Sequence, residues 1–124
     1  MAKQILIIDD DSRNIFALKA VLKARKFNCL NAGSATEGLS ILSSHDDVGI
    51  ILMDMMMPEM DGYEAIRLIK NDPQISSIPI ISVTAQAMVG DREKCLAAGA
   101  DNYISKPIDV DVLLGLINKY LKKD

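Results

Sequence analysis

The feature that most constrains this chain is the way its apolar runs are built. QILII at 4–8, VGIILM at 48–53 and IPIISV at 78–83 are apolar at nearly consecutive positions rather than at every second one. Successive strand side chains point to opposite faces, so a run apolar throughout must be covered on both. Two weaker runs, NCLNA at 28–32 and NYI at 102–104, read as further strands. Helical spacing fills the intervals. Residues 14–26 place Ile15, Leu18 and Leu22 on one side, and Ser34 opens a helix to about Ser44 with Glu37 in capping-box register. Residues 62–70 carry Ala65, Ile66 and Ile69, and 86–98 stop before Gly99, a C-cap residue. The last helix, about 109–122, aligns Val110, Leu113, Leu114, Ile117 and Leu121 behind an Asp109 cap. Five strands alternating with five helices predict an α/β fold, a doubly wound parallel sheet with helices on both faces. A helix bundle does not fit runs this short and β-branched. Pro79 then belongs at the start or edge of its strand, where a missing N–H costs least.

Composition narrows the function. The 124 residues suit one domain spanning 1–124, with no linker, repeat or low-complexity segment. A net charge of −3 and a pI near 5.1 give no basic footprint for nucleic acid or anionic lipid, so no direct nucleic-acid partner is expected. No window reaches membrane-spanning length, and a cytoplasmic protein without membrane insertion is expected. Cys29 and Cys95 form neither a disulfide framework nor a metal knuckle and read as reduced thiols.

Open α/β sheets place their chemistry beyond the carboxyl ends of the strands. Asp9, Asp10 and Asp11 follow the first strand, and Asp54 follows the third. If these strands are neighbours, carboxylates face each other across the crevice. Two like charges about 4 Å apart repel by roughly 4 kcal/mol at an effective dielectric near 20, which calls for a cation or a retained proton. All-oxygen ligation suits Mg2+. Asp11 or Ser12 is expected to cap the first helix instead. Thr84 ends the fourth strand with a hydroxyl, and Lys106, before Pro107, puts a cation at the end of the last. Carboxylates for a metal, an aspartate nucleophile, a hydroxyl and a fixed cation are the parts phosphoryl transfer requires.

The segments ILIIDDD, ILMDMMMPEMDG, IPIISVTA and ADNYISKP, in this order and spacing, resemble the receiver domain of two-component response regulators, of the single-domain chemotaxis or cell-cycle type. The resemblance spans residues 3–122 and implies a (βα)5 flavodoxin-like fold. It implies Asp54 as the phosphorylated aspartate and Asp9 and Asp10 as the acidic pair. Mg2+ would be held by Asp10, Asp54, the Met56 carbonyl and waters partly held by Asp9. It also implies Thr84 and Tyr103 as switch residues, Lys106 as the family's lysine and a cis Lys106–Pro107 bond. The implied donor is a phosphohistidine on a sensor histidine kinase or histidine phosphotransfer protein. The output is a downstream protein target met through the fourth helix, last strand and last helix, with a phosphorylation-dependent homodimer as a further partner. Such a domain joins in transfer to its own aspartate without being a conventional turnover enzyme.

Several residues refine this. The resemblance implies that the Met56 side chain borders the entrance for water, where a polar residue would engage the attacking water, so self-dephosphorylation slower than in a polar variant is expected; the Met-rich stretch reads as flexible filler. Gly62 reads as a turn or the start of a helix, and Arg67 and Lys70 as surface charges. Asn14, read as exposed, and Ile15 lie where related receivers dock their donor, although Ile15 equally suits the core. His45 belongs to a solvent-exposed helix end. Two other functions fit less well: a phosphorylation-independent docking scaffold, and a haloacid-dehalogenase-like phosphatase, which wants a second Asp where Met56 stands.

Overall fold

In a computed structural model, residues 3–55, 62–84 and 90–121 are described. They run β1 (Gln4–Ile8), α1 (Ser12–Ala24), β2 (Cys29–Ala32), α2 (Ala35–Ser44) and β3 (Val48–Asp54). After these come α3 (Gly62–Lys70), β4 (Ile80–Thr84), α4 (Asp91–Ala98), β5 (Asn102–Ser105) and α5 (Val110–Leu121). The strands form one parallel sheet in the order β2-β1-β3-β4-β5. This is the doubly wound, flavodoxin-like (βα)5 arrangement expected from the sequence.

Chain order and handedness divide the helices between the faces. The chain steps from β1 outward to β2, then returns past β1 to β3, β4 and β5. Right-handed crossovers therefore put α1 on one face and α2, α3 and α4 on the other; α5 folds back beside α1. The central strands feed both cores by alternation. Leu6, Ile8, Ile51, Met53 and Ile80 pack on the α2–α4 side, while Ile5, Ile7, Ile50, Leu52, Ile81 and Val83 pack on the α1–α5 side. That is why these runs lack polar interruptions.

Capping chemistry sets the ends of the helices. Asp11, not Ser12, caps α1: its side chain accepts from the Arg13 N–H at 2.9 Å. The helix consequently begins two residues earlier than its apolar spacing suggests. It also ends two residues earlier, at Ala24, where the Arg25 and Lys26 N–H groups donate to the Leu22 and Lys23 carbonyls. The Ser34 hydroxyl accepts from the Glu37 N–H at 3.1 Å, and Glu37 Oε1 accepts from the Gly33 N–H at 2.6 Å, one residue before the usual box partner. Asp109 caps α5 by accepting from the Asp111 and Val112 N–H groups. Gly99 ends α4 at φ 123°, a conformation that favours glycine. Of the 86–98 helix, residues 86–89 lie outside the described residues. Pro79 precedes β4, and its carbonyl accepts from the Ile51 N–H at 2.9 Å.

The Asp11 cap carries a pH signature. The Arg13 side-chain hydrogen bond, then the Arg13 backbone N–H, hold its carboxyl below the ordinary carboxylate range. A carboxylate with a lowered native pKa stabilises fully above its unfolded value, and that contribution fades as pH falls through the native one. Asp11→Ala is expected to lower the melting temperature at neutral pH, with the gap to the parent closing in acid. A gap that widens on acidification would contradict this assignment.

Two surface expectations change. Lys70 is half-buried and tied down: its Nζ donates to the carbonyls of Ser76 and Ile78 and to Asp101 Oδ2, each at 3.2 Å. These bonds draw the end of α3 toward the starts of β4 and β5, a role its spacing along the helix does not reveal. Arg67 is exposed, as expected. Cys29 and Cys95 are free thiols belonging to opposite faces of the sheet.

Candidate functional site

β1 and β3 are hydrogen-bonded neighbours, with Ile8 opposite Met53, and the direction of chain progression reverses between them. Helices leave to opposite faces at that point, so a crevice opens at the carboxyl ends of these strands. Asp9 directly follows β1, and Asp54 is the last residue of β3. Asp9 is 4% exposed and Asp54 3%, whereas Asp10 is exposed. One carboxylate oxygen from each of Asp9, Asp10 and Asp54 lies within 4.8 Å of the other two.

Backbone and side-chain donors fix Asp9. Its Oδ1 accepts from the Asp11 N–H at 2.8 Å, and Oδ2 receives a long contact of 3.5 Å from Asn14 Nδ2. Asn14 is therefore half-buried at the rim of the crevice rather than exposed, and Ile15 is in the core. Lys106 enters from β5 across the sheet. Its Nζ is 3.8 Å from both Asp9 Oδ2 and Asp54 Oδ1. Its backbone N–H donates to the Thr84 carbonyl at 2.7 Å, and the Lys106–Pro107 bond is cis.

Thr84, 5% exposed, ends β4 beside this lysine. Tyr103 is half-buried on β5, opposite Ser82, and packs with the cluster under α2–α4. Ser82 and Thr84 alternate with Val83, which faces the α1–α5 side, so Thr84 and Tyr103 occupy the same face of the sheet. Met56 lies outside the described residues.

The donor set fits a divalent cation. Three carboxylates, when ionised, outweigh Lys106 by two charges, the charge of one such ion. All three donors are hard oxygens at a spacing that a small octahedral cation bridges directly or through a coordinated water.

One structural reason for a site-flanking residue was hidden in the sequence. A Cβ on Gly62 would lie 2.8 Å from the Met55 Cα, so the glycine lets the start of α3 press against the chain just after Asp54. The need is for space. His45 follows α2 as its exposed C-cap residue.

A parallel five-stranded α/β sheet with acidic groups and a lysine converging at its switch point defines the class. The chain belongs to the response regulator receiver domain family, which it matches over residues 5–118. Over 121 residues it is 35% identical to the polar-differentiation response regulator DivK of Brucella ovis, covering 98% of each chain. Its fold superposes with a TM-score of 0.89, at 31% identity, on the signal receiver domain of a signal transduction histidine kinase from Syntrophus aciditrophicus. That match covers 98% of this chain and 91% of the other. A CheY-like response regulator receiver domain protein from Methanospirillum hungatei gives 0.88 and 30%, covering 98% and 95%. The chain is thus a signalling domain of the two-component type. Among the described residues no helix is long and apolar enough to cross a membrane.

Proposed function

We propose that residues 1–124 act as a single phosphoacceptor receiver domain in a cytoplasmic two-component or phosphorelay pathway. Asp54 takes a phosphoryl group from phosphohistidine, and the modification changes which proteins the domain contacts. The observation that carries this reading is the nearly buried Asp54 carboxylate, held beside Lys106 Nζ at 3.8 Å in the Asp9–Asp10–Asp54 cluster.

In the transfer, an Asp54 carboxylate oxygen forms a bond to phosphorus as the P–N bond to the donor imidazole breaks, and the leaving nitrogen keeps or takes up a proton. Asp10, Asp54 and the Met56 carbonyl, with waters oriented by Asp9, would hold Mg2+, which would supply charge neutralisation for the phosphoryl oxygens. Lys106 adds a fixed positive charge beside the acceptor carboxylate, its Nζ 3.8 Å from Asp54 Oδ1. Burial excludes bulk water from Asp54. The phosphoryl group then recruits the Thr84 hydroxyl, and the space this vacates admits the Tyr103 ring. Their common face supports that coupling. Such a switch needs a free-energy difference between states of about 1–3 kcal/mol. The donor is a sensor histidine kinase or histidine phosphotransfer protein. The receivers of the signal are a downstream protein and, on phosphorylation, a second copy of the chain.

Incubation with magnesium and a small acyl-phosphate donor, followed by peptide mass spectrometry, tests the reading. One phosphoryl adduct is expected on Asp54, absent in Asp54→Asn and suppressed by a chelator. An adduct on His45, or none on Asp54 even with a competent phosphohistidine donor, overturns it.

Met56 sets a second expectation. A thioether neither donates to nor orients a water, so Met56→Asn is expected to shorten the phosphate lifetime severalfold. Equal lifetimes in the two proteins would remove the proposed effect of this side chain.

A further inference from the structure

α1 carries two surfaces on opposite flanks of its buried stripe. Each residue advances the helix by about 100°, so Ile15 and Leu22 mark the core side. Asn14, Ala17 and Val21 lie on one flank and line a cleft with Lys106, Pro107 and Ile108 next to the acidic site. Phe16, Ala20 and Lys23 lie on the other, turned toward the edge strand β2. There they border a groove of about 610 Å³ floored by Phe27 and Cys29.

Phe16 is 77% exposed, the most exposed of the large apolar side chains described. A lone exposed aromatic is unremarkable, but its surroundings are specific. From Ser12 through Thr36 the sequence carries Lys19, Lys23, Arg25 and Lys26, besides Arg13, which pairs with Asp11, and no Asp or Glu, within a chain of net charge −3. Positive charge is thus concentrated on one helix and the turn after it. Lys19 is already held in place, with its Nζ donating to Asn31 Oδ1 on β2 at 2.9 Å. An aromatic anchor inside a basic rim, over a preformed groove, is suited to an interface whose other side is apolar at its centre and acidic around it.

We propose that the Phe16 face of α1 is a docking surface for an acidic, amphipathic segment of a partner protein. The segment inserts an apolar side chain beside Phe16 and sets carboxylates against Lys19 and Lys23. Because this flank turns away from the cleft beside Lys106, such a partner binds while the Asp54 crevice stays open to a phosphoryl donor. A protein segment is favoured over a polyanion because the groove itself is predominantly apolar in its lining, with Phe16, Ala20 and Phe27 contributing ring and methyl surface.

A fluorescent Glu-rich amphipathic helical peptide with leucine on one face serves as the probe, titrated into the isotope-labelled full chain. Expected are amide shifts centred on Phe16–Cys29, and affinity about tenfold weaker for Phe16→Ala and for Lys23→Glu. No binding is expected for the same peptide with Lys in place of Glu. Both substitutions are of exposed side chains, and phosphorylation of Asp54 by acyl phosphate is expected to be unchanged in both, which also reports folding. The proposal is overturned by shifts confined to Asn14, Ala17 and the Lys106 loop, or by absence of binding. It is equally overturned if a single-stranded oligonucleotide or anionic vesicles bind this face in preference to the peptide, or if Phe16 instead mediates self-association in ultracentrifugation.

Discussion

Replacing Lys106 with alanine is expected to destabilise the metal-free domain by about 2 kcal/mol and to slow phosphorylation of Asp54 by about 10²-fold. The reason is geometric. Its Nζ stands 3.8 Å from a carboxylate oxygen of both Asp9 and Asp54, and both aspartates are almost fully buried. At that distance and an effective dielectric near 20, each attraction is about 4 kcal/mol before solvation costs. The lysine side chain keeps 26% of its exposure, so water recovers part of this and the net loss is smaller. Urea denaturation with and without magnesium measures it. Saturating magnesium should narrow the gap between parent and variant, because a second cation then meets the same carboxylates. If the variant is as stable as the parent without metal, Lys106 is not the counter-ion of the cluster.

The opposite sign is expected at Asp54. Asparagine there preserves the shape and one acceptor oxygen while removing a charge from three carboxylates whose oxygens lie within 4.8 Å of one another. Two repulsions of about 3 kcal/mol each disappear, with one attraction to Lys106 of similar size. One of the repulsions involves the exposed Asp10 and is partly screened. The balance is a gain of about 1–2 kcal/mol for metal-free Asp54→Asn. Magnesium should then reverse the order of stability. A ligand at a hundredfold excess over its dissociation constant stabilises the native state by about 2.7 kcal/mol, and the variant binds it more weakly. Thermal unfolding across a magnesium titration should therefore give two curves that cross. Parallel curves would mean that Asp54 neither repels its neighbours nor contributes to holding the ion. A functional residue that lowers metal-free stability fits a site arranged for charge that arrives later.

Much of this was legible in residue order. The continuous apolar runs at 4–8, 48–53 and 78–83 required a sheet covered on both faces, and the helices between them made it parallel. Asp9, Asp10, Asp54, Thr84 and Lys106 were visible because each follows or ends a strand, where an α/β sheet keeps its chemistry. Exact helix ends were less legible, since apolar spacing does not reveal which of Asp11 and Ser12 supplies the cap. Lys70 was misread as a surface charge because its acceptors lie on other elements, at Ser76, Ile78 and Asp101. Asn14 was misread for the same reason; Gly62 does start a helix, as its sequence suggested, but the crowding against Met55 that calls for a glycine there is a tertiary contact.

By itself, then, the sequence determined the alternation of strands and helices, the residue types available for chemistry and their position at strand ends. These are local properties, set by side-chain period and by what each residue does to its own backbone. The tertiary structure decided which strand ends meet, placing β1 beside β3 so that Asp9 and Asp54 share Lys106. It also turned Phe16 outward and drew Asn14 toward Asp9. Distances between residues far apart in the chain follow from how the two cores pack against one sheet, and no local pattern encodes them.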